Sequence, residues 1–491
     1  MLLRDRENKN LKSGILLPLT SLPDKHGIGS LGKSAFWFLD FLRESNQSYW
    51  QLLPLCPFGK GNSPYSSYSS FAGEILLIDI DYLVDIGLLS PETEIPSFPK
   101  NIDYNAVRRY KIPLLKKACE NFDENNKAFR NFKNENNYWL YDFSLFMAIK
   151  DSYLGAPFYN WDDPLKYRFP DAIKEFEETH QKEILFYEIT QFLFYEQFYR
   201  LKGYAQKCSV KLIGDMPFYV SLNSADVWSN PNCFRLGRDM KPLLVAGVPP
   251  DLFSSDGQLW GNPIYDWDYL RKNNYPFWRE RFFHFSKMFD TLRIDHFRAF
   301  ANFYTIPSSA KTAKSGKWEK GIGIQFFKAI KDIIKHTEII AEDLGEESPE
   351  VDKLIEETGF QSMKVLQFAF DSDLKDRFLP RNFSRNCVCY TGTHDNDTTL
   401  GWYEKAAPKE RLMFDKLVPK IYTSPVLNLI SYALKSKAKT VIIPLQDYLE
   451  LPSSDRINTP STENANWEWR FEEESLNGLA QKILKLTKGR N

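Results

Sequence analysis

TLRIDHFR (291–298) opens as an apolar run and stops on a carboxylate, Asp295. Three other stretches do the same: LIGD (212–215) ends on Asp215, EIIAED (338–343) on Glu342 and Asp343, and YTGTHDN (390–396) reaches Asp395. An apolar run of this length reads as a strand buried on both faces, the kind found in parallel sheets. A charged group at the end of such a run sits at the strand's carboxyl end, where (β/α)8 barrels keep their chemistry. Working outward, GILLPL (14–19), YWQLLPL (49–55), MKVLQFAF (363–370) and KTVIIPLQD (439–447) give the remaining strand signals, for eight in all. Helical patterns such as SAFWFLDFLRES (34–45) and IQFFKAIKDIIK (324–335) lie between them. Strand and helix in alternation mark an α/β protein. Eight runs suit closure into a barrel, although the pattern alone also fits an open doubly wound sheet.

The reading divides the chain into three parts. Residues 1–83 form the first part of the barrel. Residues 84–207, rich in Lys, Glu and Asn, form a mostly helical insertion; Leu185, Ile189, Phe192 and Leu193 fall on one helical face there. Residues 208–491 complete the barrel and include long cleft loops over 216–267. Loops of that length are usually functional. The stretch GKGNSPYSSYSSFAGE (59–74) is crowded with hydroxyls and carries Tyr65 and Tyr68.

Bulk properties remove several classes. The 491 residues are 43% hydrophobic with a formal net charge of −1 and scattered Lys and Arg, which argues against nucleic acid as the main partner. The N-terminus MLLRDRENKN lacks an apolar signal-peptide core, and no window approaches a membrane span. Six cysteines without framework spacing point to a reducing, cytoplasmic compartment. Aromatic residues make up 15% of the chain, which serves either a large core or platforms for sugar rings.

Several carboxylates delivered to one mouth suit acid–base and nucleophilic chemistry on a glycosidic bond. Asp295, flanked by Arg293, His296 and Arg298, is expected to stay ionised, as a nucleophile requires; the alternative is a buried Asp–Arg ion pair that stabilises the mouth. Glu342 in a crowded apolar setting is expected to hold its proton toward neutral pH, as a general acid requires. Its neighbour Asp343 reads as a helix N-cap or first-turn carboxylate. His394 and Asp395 stand at a third strand end. A metal site is the rival there, but neither H-x-H nor H-E-x-x-H occurs, so no metal is expected. Phosphate-loop, dinucleotide and serine-hydrolase motifs are absent from the sequence.

The blocks LPLCPFGKGNSPYSSYSSFAGE (53–74), LIGDMPFYVSLNSADVW (212–228), VAGVPPDLFSSDGQLWGNPIYDW (245–267), LRIDHFR, IIAEDLG, MKVLQFAF, YTGTHDN, PLQDYLEL and RINTPSTENANWEWR (456–470) together closely resemble the 4-α-glucanotransferases of glycoside hydrolase family 77. The resemblance runs from about residue 14 to 470 in the family's order. It implies a (β/α)8 barrel and a retaining, two-step transfer of α-1,4-glucan segments. The donor would be maltodextrin or a glycogen- or starch-derived glucan, and the acceptor glucose or a glucan. No cofactor would be needed. On this resemblance Asp295 is the nucleophile, Glu342 the acid/base and Asp395 the stabilising carboxylate. Arg293, His296 and His394 would hold the same sugar. Ser63, Tyr65 and Asp215 would line the donor side, and Gln258, Trp260 and Asn262 would arch over the cleft. Ala299, Glu450, Ser461 and Ala465 stand where the family commonly has Gly. The competing readings are an α-amylase-type hydrolase using the same carboxylates and an inactive glucan-binding protein.

Overall fold

A computed structural model describes residues 11–92, 94–250, 255–371, 374–462 and 464–490. Twelve strands are present among them: β1 (Lys12–Leu16), β2 (Tyr49–Gln51), β3 (Lys211–Met216), β4 (Leu244–Val248), β5 (Gln258–Pro263), β6 (Thr291–Ile294), β7 (Asn302–Pro307), β8 (Lys317–Lys320), β9 (Glu338–Ala341), β10 (Gln361–Val365), β11 (Cys387–Tyr390) and β12 (Thr440–Pro444). Eight of them close into a barrel in the order β1-β12-β11-β10-β9-β6-β3-β2. Every barrel pairing is parallel. These are the eight apolar runs read from the sequence, and closure removes the open-sheet alternative.

Burial explains why the runs are continuous rather than alternating. All residues of β6, β11 and β12 are buried, because one face fills the barrel and the other meets the helices. The apolar runs outlast their strands: after Val365 the chain turns through Leu366–Phe368, and after Pro444 it enters the short helix Leu445–Tyr448. Gly214 is required by a close approach, since a Cβ there would lie 2.2 Å from the Phe289 ring.

Between β2 and β3 run the helices Ile80–Asp85, Tyr104–Glu120, Lys127–Ser152, Asp163–Lys166, Pro170–Thr179 and Gln181–Lys207. The last is buried without a break from Tyr187 to Tyr195, because it packs on the Lys127–Ser152 helix, the Lys33–Glu44 helix and β3. Its apolar residues belong to the same core cluster as the barrel. Its buried amides do positional work. Gln191 accepts from Gly73 N–H at 2.7 Å and donates to Gly73 C=O at 2.9 Å, and Gln197 accepts from Asp79 N–H at 2.8 Å. These bonds clamp the loop that follows β2.

A feature the sequence did not reveal is a four-stranded antiparallel sheet in the order β5-β4-β7-β8. Two of its strands come from the 216–267 segment read as loop, and two follow β6. It has a small core of its own: Val245, Tyr304, Ile306 and Ala313. Gly247 and a register shift between Val245 and Gly247 break the alternation that would have marked β4. Of the expected arching loop, residues 251–254 lie outside the described residues.

Candidate active site

The carboxyl ends of β3, β6, β9 and β11 bring most of the candidate residues to one mouth. Arg293, on β6, is the hub. Its Nη1 lies 2.7 Å from both carboxylate oxygens of Asp215, on β3, and 3.1 Å from Asp295 Oδ1, just past the end of β6. Asp215 is fully buried and Arg293 nearly so. Burial opposes the charge on Arg293, but Asp215 and then Asp295 outweigh it and push its pKa further up. Burial likewise pushes the Asp215 carboxyl up, with Arg293 pulling it back.

The Tyr65 hydroxyl donates to Asp215 Oδ2 at 2.8 Å. Burial, reinforced by Asp215, raises its pKa well above the usual phenol value, so it remains a donor. The Tyr65 ring stacks on His394 at 5.2 Å and 14°, and Trp467 lies 5.8 Å from Tyr65. His394 Nε2 lies 3.4 Å from Asp395 Oδ2. Asn458 Nδ2 donates to Asp395 Oδ1 at 2.6 Å, and Arg456 donates to the Asp395 carbonyl at 2.9 Å. Gly392 keeps this corner tight: a Cβ there would lie 2.8 Å from Gln367 Nε2.

Glu342 follows β9, the neighbour of β6. Its backbone N–H donates to the Ile294 carbonyl at 3.1 Å, and Phe297 N–H donates to the Glu342 carbonyl at 3.1 Å. His296 takes the left-handed conformation, with φ 48°. In that turn its N–H donates to Glu342 Oε2 at 2.8 Å, while Leu344 N–H donates to Oε1 at 3.1 Å. A non-glycine residue held at positive φ is a strained arrangement of the kind active sites retain. Burial pushes the Glu342 carboxyl up to about 8; Arg293 pulls it down, Asp295 pushes it further up, and the His296 N–H bond does not offset the desolvation. The expected direction for Glu342 is therefore met.

Other expectations need correction. Burial lowers His296 to about 4 despite Asp295, so its ring is neutral at pH 7. Arg298 is engaged elsewhere: it lies 4.2 Å over the Trp318 ring and donates to Asn302 Oδ1 and the Glu346 carbonyl. Of the three expected cationic neighbours, Arg293 is the one that pairs with Asp295 among the described residues. Asp343 is not a helix cap. The next helix, Pro349–Thr358, has Ser348 at its N-cap, and Asp343 instead accepts from Met363 N–H at 2.8 Å and faces Arg377 at 3.6 Å.

The remaining candidates sit on the rim. Trp260 is 39% exposed, and its indole meets the His296 ring edge-on at 4.9 Å. Its Nε1 donates to Gln258 Oε1 at 3.0 Å. Asn262 Nδ2 donates to the Val220 carbonyl at 2.9 Å, tying β5 to the loop after β3. Ser63 Oγ accepts from Tyr65 N–H at 3.2 Å, so it shapes the turn that presents Tyr65. Four residues at or beside the site were not singled out from the sequence: Tyr219, packed 6.0 Å from His296, together with Arg456, Asn458 and Trp467. They are loop residues without periodicity; RINTP and NWEWR were legible only as blocks.

Among the described residues one trio has metal-like spacing, His26, Asp79 and Asp81. Its atoms are already engaged. His26 reaches Tyr110 and Asp81, Lys25 pairs with Asp81 at 2.9 Å, and Asp79 caps the helix Ile80–Asp85. None of the three belongs to the mouth.

Known proteins resemble this chain over nearly its whole length. A family profile described as 4-alpha-glucanotransferase matches residues 17–476. A 4-alpha-glucanotransferase of Clostridium butyricum is 42% identical over 481 residues, covering 96% of this chain and 98% of the relative. One from Thermus thermophilus is 41% identical over 472 residues, covering 93% and 94%. Among solved structures, the amylomaltase of Streptococcus agalactiae in complex with acarbose superposes with a TM-score of 0.94 at 36% identity, covering 97% of this chain and 99% of that one.

Proposed function

The chain belongs to the 4-alpha-glucanotransferase family, and from that premise we propose how its residues divide the work. The enzyme transfers α-1,4-glucan segments from a maltodextrin or related glucan donor to the 4-hydroxyl of a glucose or glucan acceptor. In our reading Asp295 attacks the anomeric carbon and forms a glycosyl ester, while Glu342 protonates the departing glycosidic oxygen. Glu342, now a carboxylate, removes the proton from the incoming 4-hydroxyl as the acceptor displaces Asp295. Asp395, oriented by Asn458 and His394, stabilises positive charge developing on the ring. Arg293 fixes Asp295 and Asp215 in one geometry. The observation that carries this reading is the opposed environments of the two carboxylates: Arg293 lies 3.1 Å from Asp295, whereas burial lifts Glu342 to about 8.

Transfer rather than hydrolysis requires the acceptor to outcompete water. A bound acceptor can reach effective molarities of roughly 10⁵ M or more. We assign that binding to the rim formed by Trp260, Gln258 and the Tyr65 loop, which also shields the ester from solvent. Residues 84–207, in this reading, buttress that loop through Gln191, while 1–83 and 208–491 carry the chemistry. Six unpaired cysteines support a reducing, cytoplasmic setting.

The test is incubation with maltotriose. A ladder of longer maltodextrins with free glucose is expected; maltose and glucose alone would reject transfer in favour of hydrolysis. Asp295→Asn or Glu342→Gln is expected to lower turnover by roughly 10²–10⁴-fold or more. Unchanged turnover would remove those roles, whereas a wild type that binds maltodextrins and turns none over would be the inactive glucan-binding protein.

A further inference from the structure

We propose that a groove beside the catalytic mouth, walled by Trp318 and the start of the helix Pro349–Thr358, binds a second stretch of the α-1,4-glucan. This rests on the glucan-transfer reading above. The groove has a volume of about 910 Å³, within the roughly 300–1,000 Å³ of ligand sites. Two of its three lining segments leave the catalytic strands: residues 298–302 follow Asp295 and residues 347–357 follow Glu342, while residues 318–325 supply the rest.

A relay of hydrogen bonds ties the 298–302 segment to the 348–350 segment. Arg298 Nε donates to Asn302 Oδ1 at 2.9 Å, Asn302 Nδ2 donates to Ser348 Oγ at 3.0 Å, and Ser348 Oγ donates to Glu350 Oε2 at 2.8 Å. Trp318 is 40% exposed on the β8 hairpin strand. The Arg298 guanidinium backs it at 4.2 Å, and Tyr304 holds its edge at 5.3 Å and 68°. An indole fixed in this way and left open to the groove offers a flat apolar platform at little entropic cost.

The chemistry selects a neutral polyol. Three cationic side chains (Arg298, Lys320, Lys353) and four acidic ones (Glu319, Glu347, Glu350, Glu357) line it, a near balance that selects strongly for neither an anion nor a cation. A glucose unit presents an apolar C–H face to stack on Trp318 and hydroxyls that both donate and accept, matching Lys353 and Glu350, which also line the groove.

Trp318→Ala tests this, with Trp318→Phe as the variant that keeps a platform. KM for long maltodextrins is expected to rise about three- to tenfold in Trp318→Ala. KM for maltotriose and kcat for both substrates should not change, and Trp318→Phe should recover most of the loss. In the slow Glu342→Gln background, adding Trp318→Ala is expected to weaken maltoheptaose binding by calorimetry while leaving maltotriose binding intact. Equal KM values for wild type and Trp318→Ala on long chains would overturn the groove. A parallel rise for maltotriose and long chains would also overturn it, since the substitution would then be acting through the mouth. Failure of the wild type to build a ladder from maltotriose would instead reject the glucan-transfer reading itself.

Discussion

Replacing Glu342 by Gln probes the protonation state on which the acid step depends. Glu342 keeps its proton up to about 8 in the native state, against 4.5 for an ordinary glutamate. The native protein therefore binds one proton more than the unfolded chain between those pH values. Stability must fall as pH rises through that window and stay low above it. The displacement is worth at most about 5 kcal/mol, at about 1.4 kcal/mol for each pH unit. Because the residue retains some surface at the mouth, solvent screening should leave about 2–3 kcal/mol. At about 2.1 cal/mol/K of unfolding entropy per residue, a chain of 491 residues converts 1 kcal/mol into about 1 °C of Tm. Glutamine does not ionise, so the Tm difference between Glu342→Gln and wild type should climb by about 2–3 °C from pH 4.5 to pH 8 and then level off. Scanning calorimetry across that range measures it. Any fixed offset from the amide facing His296 N–H or Leu344 N–H cancels, because only the pH-dependent part counts. The wild-type kcat/KM should fall above pH 8 as the acid is lost. A Tm difference that does not vary with pH, or one that shrinks, would refute a protonated Glu342.

Three further outcomes follow from the geometry. Asp215→Asn leaves Arg293 buried beside one carboxylate fewer and should cost about 3–5 kcal/mol, read as a Tm lowered by about 3–5 °C in thermal unfolding. Asn458→Ala removes the 2.6 Å hydrogen bond to Asp395 and should lower kcat/KM on maltotriose by roughly ten- to a hundredfold without altering Tm by more than a degree. Trp260→Ala uncovers the ester and should raise the hydrolysis-to-transfer ratio severalfold, measured as reducing ends formed against glucose released from maltotriose; an unchanged ratio would remove Trp260 from the rim that excludes water.

The barrel was legible because its strands are buried on both faces and thus read as apolar runs with no competing period. The carboxylates were legible because each closes such a run. The β5-β4-β7-β8 sheet was not, since its short strands carry exposed residues such as Leu259 and Trp260 among glycines and prolines. Arg298 illustrates a second limit: spacing placed it beside Asp295, but its position past the end of β6 lets it swing to Trp318. The missing glycines were legible as a pattern and acquire a physical meaning in the structure. Glu450, Ser461 and Ala465 have φ of 56°, 65° and 58°, so each holds a left-handed backbone that glycine would adopt without the Cβ penalty. Ala299 lies instead in the short helical turn Phe297–Phe300, where no such conformation is needed.

The most direct test of the convergence of Asp295, Glu342 and Asp395 is to trap the glycosyl ester. A maltosyl fluoride needs no acid to lose its leaving group, so Glu342→Gln should load Asp295 and then stall for want of a base. Peptide mapping by mass spectrometry should find one glycosyl adduct, on the peptide that contains Asp295. An adduct on any other carboxylate, or fluoride release at full rate from an enzyme that also carries Asp295→Asn, would contradict the account.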